Sequence, residues 1–121
     1  MKKVLITLFV FITTIFSFIG VIALDFYSEK QVNIPEHKDQ YVLFYDSDCK
    51  DCKQLSVTMF NAKNRDKNLT VVNLNNLNNR KYIDKYGLTS VPTLIHLRKD
   101  GTYKTYLTDS KEIKNVLKNI K

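Results

Sequence analysis

Residues Val4 to Leu24 (VLITLFVFITTIFSFIGVIAL) carry no charged side chain across 21 consecutive positions, and this run limits what the rest of the chain can form. At about 1.5 Å rise per residue, a helix of that length covers roughly 30 Å, the thickness of a bilayer core. A helix that is apolar all round needs cover on every side. The 97 residues from Asp25 to Lys121 are too few to wrap it, but they suffice for one small domain with one core. Residues 1–24 therefore read as an amino-terminal membrane anchor, residues 25–40 as a linker with a short edge strand, and residues 41–121 as the folded domain.

The flanks of the run set its expected orientation. Lys2 and Lys3 precede it, and Asp25 and Glu29 follow. Positive charge stays on the cytoplasmic side, so a single-pass cell-membrane protein with an extracytoplasmic carboxyl-terminal domain is expected. Val21-Ile22-Ala23 would admit signal peptidase, and cleavage near Ala23 would give a secreted form. A signal h-region is about 7–15 residues, however, and this run is longer, which favours a retained anchor. No cysteine lies near the end of the run, so a lipoprotein anchor is excluded.

The net charge of +7 includes Lys2 and Lys3. The remaining 17 basic residues are scattered among 12 acidic ones, as in Glu36-His37-Lys38-Asp39 and Asn64-Arg65-Asp66-Lys67. There is no basic stripe with interleaved aromatics, so nucleic acid is not an expected partner. Asn73, Asn75, Asn76, Asn78 and Asn79 crowd one stretch, which reads as surface and turns.

Along the domain, hydrophobic periodicity gives the order β-α-β-α-β-β-α. Gln31–Ile34 reads as the short edge strand, with Pro35 ending it. Tyr41-Val42-Leu43-Phe44-Tyr45 is a continuous apolar run of strand length, expected to be central and buried. Asp46-Ser47-Asp48 makes a turn. From Cys49 the period becomes helical, with Cys52, Leu55, Met59 and Phe60 on one face, giving one helix to about Asn64. Leu69–Asn73 is a second buried strand. A weaker helix over Asn78–Tyr86 is closed by Gly87. Strand Thr93–Arg98 turns at Asp100-Gly101 into strand Thr102–Leu107. Asp109-Ser110-Lys111-Glu112 has capping-box spacing, and Ile113, Val116, Leu117 and Ile120 form the apolar face of a last helix.

The chain has two cysteines, Cys49 and Cys52, two residues apart. At a helix amino terminus this spacing brings the sulfurs within disulfide reach. The exposed N–H groups and the macrodipole favour thiolate at the first, and the second is placed to resolve a mixed disulfide. Lys50 and Lys53 favour that thiolate, while Asp46, Asp48 and Asp51 oppose it. Two other readings exist. A zinc site would need four ligands, and only His37 and His96 remain to join the cysteines. A purely structural disulfide fits an oxidising compartment, but so short a loop is a weak staple. His96, on a strand, reads as a half-buried or surface residue. Tyr41, Phe44 and Tyr45 read as core or groove wall.

Val91-Pro92-Thr93 opens a strand about forty residues after the cysteine pair. With the Cys49–Cys52 setting, Lys53, the stretch Tyr86-Gly87-Leu88-Thr89-Ser90-Val91-Pro92-Thr93, the Asp100-Gly101 hairpin and the closing helix, the chain resembles the thioredoxin family from about Tyr41 to Lys121. The resemblance implies a thioredoxin-like three-layer α/β fold with a central mixed sheet. It implies catalysis by Cys49 and Cys52 through a reversible Cys49–Cys52 disulfide. It also implies a cis Pro92 packed beside Cys49, and a Val91 backbone that pairs with a bound peptide. Three departures stand out. The family's Trp-Cys-Gly-Pro-Cys is here Asp48-Cys49-Lys50-Asp51-Cys52. Its buried acid on the central strand is Leu43. Its first strand and helix are shortened or missing. The chain is more similar to small exported thioredoxin-like proteins of Gram-positive bacteria, including the bacteriocin-accessory type.

The function expected is extracytoplasmic thiol–disulfide exchange on cysteine-containing proteins or peptides. It would need no cofactor and no metal, and a redox-recycling membrane protein would be the partner. The rival is a non-catalytic accessory or binding protein whose cysteine pair is a passive bridge.

Overall fold

The computed structural model describes residues 1–120, so Lys121, the last residue of the expected domain, lies outside it. Helix α1 spans Lys2–Phe26, and of its residues only Ile22 and Phe26 are buried. The hydroxyls inside the apolar run are satisfied within the helix. Thr7 donates to the Lys3 carbonyl, Thr13 and Thr14 to that of Val10, and Ser17 to that of Thr13. The run therefore presents no unpaired side-chain polar group, as an apolar surrounding demands.

Strand β1 (Gln40–Tyr45) is central. It pairs in parallel with β2 (Leu69–Asn73) and antiparallel with β3 (Thr93–Leu97), which pairs antiparallel with β4 (Tyr103–Leu107). The sheet order is β2-β1-β3-β4. Side chains alternate across a strand, and β1 uses both faces. Leu43 and Tyr45 enter a core with Phe26, Leu55, Met59, Leu94, Ile113 and Leu117. Val42 and Phe44 enter a second with Ile34, Val72, Tyr82, Tyr86 and Ile95. Helices α3 (Ser56–Arg65) and α5 (Ser110–Asn119) cover the first face, and α4 (Lys81–Lys85) covers the second. This is the three-layer thioredoxin-like arrangement the sequence implies. Asp109 caps α5 by accepting from the Lys111 and Glu112 amides.

Four local expectations need correcting. The helix expected over Cys49–Asn64 is two helices, α2 (Lys50–Lys53) and α3, broken at Gln54-Leu55. There the Leu55 amide bonds to the Cys52 carbonyl at 3.0 Å, three residues back, and tightens the turn. The weaker helix is a 3₁₀ turn at Leu77–Asn79 followed by α4. Its stop is as expected. Gly87 (φ 60°) lets the Leu88 amide reach the Ile83 carbonyl at 2.9 Å and its own amide reach that of Asp84, a Schellman ending that needs the left-handed conformation.

Gln31–Ile34 is not a strand. Its polar backbone groups are met by side chains instead of a ladder. The Val32 amide donates to Asn79 Oδ1 at 2.9 Å, the Ile34 amide to the Tyr82 hydroxyl at 3.2 Å, and that hydroxyl to the Val32 carbonyl at 2.8 Å. The asparagine-rich stretch extends this strap. Asn73 Nδ2 donates to the Ser28 carbonyl, Asn75 Nδ2 to Glu29 Oε1, Asn76 Nδ2 to the Glu29 carbonyl and Asn79 Nδ2 to the Lys30 carbonyl. Asn73 and Asn79 are buried. The stretch is therefore not merely surface and turns, since it fastens the segment leaving α1 onto the domain.

Asn79 also donates to the Asn73 carbonyl at 2.9 Å. An Asn79→Ala variant strands the buried Asn73 carbonyl, at about 1–3 kcal/mol, together with the part-buried Val32 amide and Lys30 carbonyl. The expected result is a lower denaturant midpoint, with proteolytic cleavage appearing first between Ser28 and Ile34.

Candidate functional site: a thiol pair at a helix start

The site forms where β1 ends. Asp46 follows the last strand residue, and its carboxylate and carbonyl accept the Asp48 and Cys49 amides at 2.8 and 3.0 Å. This turn delivers Cys49 to the N-cap of α2 in extended conformation, with φ −78° and ψ 126°. There its sulfur acts as the capping atom, accepting the Cys52 amide at 3.2 Å. A sulfur in that position faces the N–H groups that the helix start leaves without backbone partners.

Cys49 is half-buried and Cys52 fully buried. Burial, first, and a hydrogen bond to Cys49, second, push the Cys52 thiol well above the usual thiol range. The two sulfurs are thus unequal. Cys49 is reachable from solvent, while Cys52 keeps its proton until the environment around it changes. Both stand as free thiols in this structure.

Val91 and Pro92 complete the site. The Val91–Pro92 peptide bond is cis, as the resemblance implies. Pro92 is fully buried, and the Val91 carbonyl accepts from Cys49 Sγ at 3.8 Å. The Thr93 hydroxyl donates to the Ser90 carbonyl at 2.6 Å and fixes the loop from behind. The structure therefore brings together Cys49, Cys52, Val91 and Pro92, which lie some forty residues apart in the chain. It does not bring the histidines to them. His96 stacks on Tyr41 at 4.9 Å between ring centroids, and His37, at φ 61°, meets the Lys99 carbonyl at 3.3 Å.

One residue near the site was not legible from periodicity. Phe26, at the end of α1, packs against Tyr45 with ring centroids 5.1 Å apart. The Tyr45 hydroxyl donates to the Phe26 carbonyl at 2.7 Å, satisfying one of the carbonyls a helix end leaves open. The same strand that leads to Cys49 is thereby joined to the apolar helix.

The likeness to known proteins agrees with this geometry. The reduced thioredoxin pre-protein of Schistosoma mansoni superposes with a TM-score of 0.52 at 17% identity, over 69% of this chain and 80% of that one. Deadhead, the germline-specific thioredoxin of Drosophila melanogaster, gives 0.51 at 19% identity, over 70% and 83%. Thioredoxin O1 of Arabidopsis thaliana gives 0.50 at 21% identity, over 68% and 77%. At these identities the likeness concerns the fold. No curated protein matches. The family model described as a thioredoxin-like domain matches residues 26–121, starting at Phe26 and taking in most of the segment expected as linker. On that match, with a mixed four-stranded sheet and the cysteine pair opening a helix beside a cis proline, the chain belongs to the thioredoxin-like domain family.

Proposed function

We propose that the protein is a membrane-anchored thiol–disulfide oxidoreductase whose domain faces outward and acts on cysteine-containing proteins or peptides. The placement of Cys49 Sγ carries this reading. It lies at a helix start, partly open to solvent, beside the Val91 carbonyl and in reach of a protonated Cys52. A passive bridge would need none of this asymmetry. In the reducing direction, Cys49 thiolate attacks one sulfur of a substrate disulfide. The Cys49–substrate bond forms and the other substrate sulfur leaves as thiolate. Cys52 then attacks Cys49 Sγ, its proton passing to the departing thiolate. The enzyme is left as the Cys49–Cys52 disulfide and the substrate gains two electrons as two thiols. The oxidising direction is the reverse.

Val91, ahead of the cis proline, offers backbone to an extended substrate segment in the manner of an added strand. The anchor reading rests on the apolar length of α1, on its exposed apolar surface, and on Lys2 and Lys3 before the run against Asp25 and Glu29 after it. It favours retention over cleavage near Ala23. It also favours kinship with small exported thioredoxin-like proteins of Gram-positive bacteria, the bacteriocin-accessory type among them, and regeneration by a membrane redox partner.

A Cys52→Ser variant tests the reading. It removes the resolving thiol and leaves Cys49, so full-length protein should accumulate mixed disulfides that collapse on adding dithiothreitol. If it traps nothing while Cys49 remains alkylatable, the oxidoreductase reading is wrong.

A further inference from the structure

Helix α1 does not simply lead up to the domain; α3 lies against its outer third. The rings of Phe18 and Phe60 meet edge to face at 6.4 Å, and Lys63 pairs with Asp25 at 2.9 Å. Beside them is an open apolar crevice, with Ile19, Ile22 and Ala23 on one wall and Lys53, Ser56 and Val57 on the other. Val57 is 51% exposed on this face.

Helix geometry fixes the depth of these contacts. Phe18 is six residues short of Leu24, so Phe60 touches the helix about 9 Å before the apolar run ends. If the bilayer surface lay below Phe18, only Val4–Ser17 would remain to span it. Those residues cover about 21 Å, too little for a hydrocarbon core of roughly 30 Å, and tilting the helix would draw still more of the run inside. The run, if it spans, carries Phe60 and Val57 into the boundary between headgroups and acyl chains. Interfacial elements sit about 5–10 Å deep in that zone. The groups around them suit it. Tyr27, 52% exposed, stands where the run ends, as aromatic residues do at a membrane interface. Lys53 lines the crevice, and a lysine there can lay its stem along apolar surface while its amine reaches the headgroups. Asp25, where the run ends, is paired with Lys63.

We propose that the α2–α3 face is a membrane-contacting surface, in which Val57 and Phe60 enter the interfacial zone of the bilayer and Lys53 meets its phosphates. The inference rests on the anchor reading above. Because Lys53 directly follows Cys52, and Cys49 is one turn away on the same short helix, the thiol pair is held at the bilayer surface. Its thiol partners are then ones that lie at that surface. The asparagine strap on Ser28–Lys30 keeps the domain from swinging away.

The chain has no tryptophan, so single introduced tryptophans report depth without background. Full-length protein would be reconstituted into vesicles of phosphatidylcholine and phosphatidylglycerol whose acyl chains are brominated near the carboxyl end. Phe11→Trp reads the anchor, Val57→Trp reads the proposed face, and Tyr103→Trp reads the opposite layer, where Tyr103 packs against Tyr86. Blue-shifted, quenched emission is expected from Phe11→Trp and Val57→Trp, and unquenched emission from Tyr103→Trp. Quenching at Phe11→Trp with none at Val57→Trp overturns the inference and leaves the anchor standing. A blue shift without quenching at Val57→Trp means a second copy or another protein covers the face, which also overturns it. No quenching at Phe11→Trp rejects the anchor and the inference together.

Discussion

A Cys49→Ser variant should reduce or oxidise a protein disulfide no faster than the uncatalysed background, while unfolding within about 1 kcal/mol of the parent. The loss is complete because a hydroxyl forms no disulfide, so neither the first exchange nor the enzyme disulfide exists. The small structural cost follows from the site. Cys49 is half-buried at an N-cap, and serine is a strong N-cap residue that will accept the Cys52 amide in place of sulfur. Turnover of a fluorescent disulfide substrate, measured beside a denaturant curve, separates the two effects. Retained turnover in a folded Cys49→Ser protein would remove Cys49 from the chemistry. The same substitution at Cys52 should behave differently. It should stop multiple turnover yet leave the first exchange intact, because the buried thiol acts only after Cys49 has reacted.

The largest loss of stability is expected from Phe44→Ala. Phe44 is fully buried on the central strand and packs near Tyr86 and Tyr82, with ring centroids 5.7 and 6.3 Å away. Removing the ring loses its transfer free energy and leaves a cavity in the face that α4 covers, a cost of about 3–5 kcal/mol. Small domains hold only about 5–15 kcal/mol in total, so the variant should unfold at much lower denaturant. Tyr82, which also fastens Val32 and Ile34, should loosen with it. Equal midpoints for Phe44→Ala and the parent would mean that the two faces of the sheet do not share one cooperative core.

What was readable in advance has a common character. The central strand, the hairpin at Asp100-Gly101, the Gly87 helix stop, the Asp109 cap and the cysteine pair at a helix start each depend on neighbours a few residues apart. Local sterics and local hydrogen bonds decide such features. Two of the misreadings concern partners far along the chain. Gln31–Ile34 has strand-like alternation, but whether it pairs depends on what lies beside it, and what lies beside it is Asn79 and Tyr82. The asparagines looked like turn formers because their composition carries no sign of the carbonyls they would meet more than forty residues away. The break at Gln54-Leu55 was invisible because Leu55 keeps its apolar place on the helix face across the turn.

The sequence alone determined that this chain has one long apolar helix and one small domain with a closely spaced cysteine pair at a helix start, since length, charge and periodicity settle those questions locally. The tertiary structure decided how the parts are joined. It placed Cys49 against Val91 beside Pro92, buried Cys52 until its thiol holds its proton, and locked the end of the apolar helix into the core through Phe26 and Tyr45. Those outcomes depend on burial and on contacts between distant residues, which exist only once the chain has closed around its sheet.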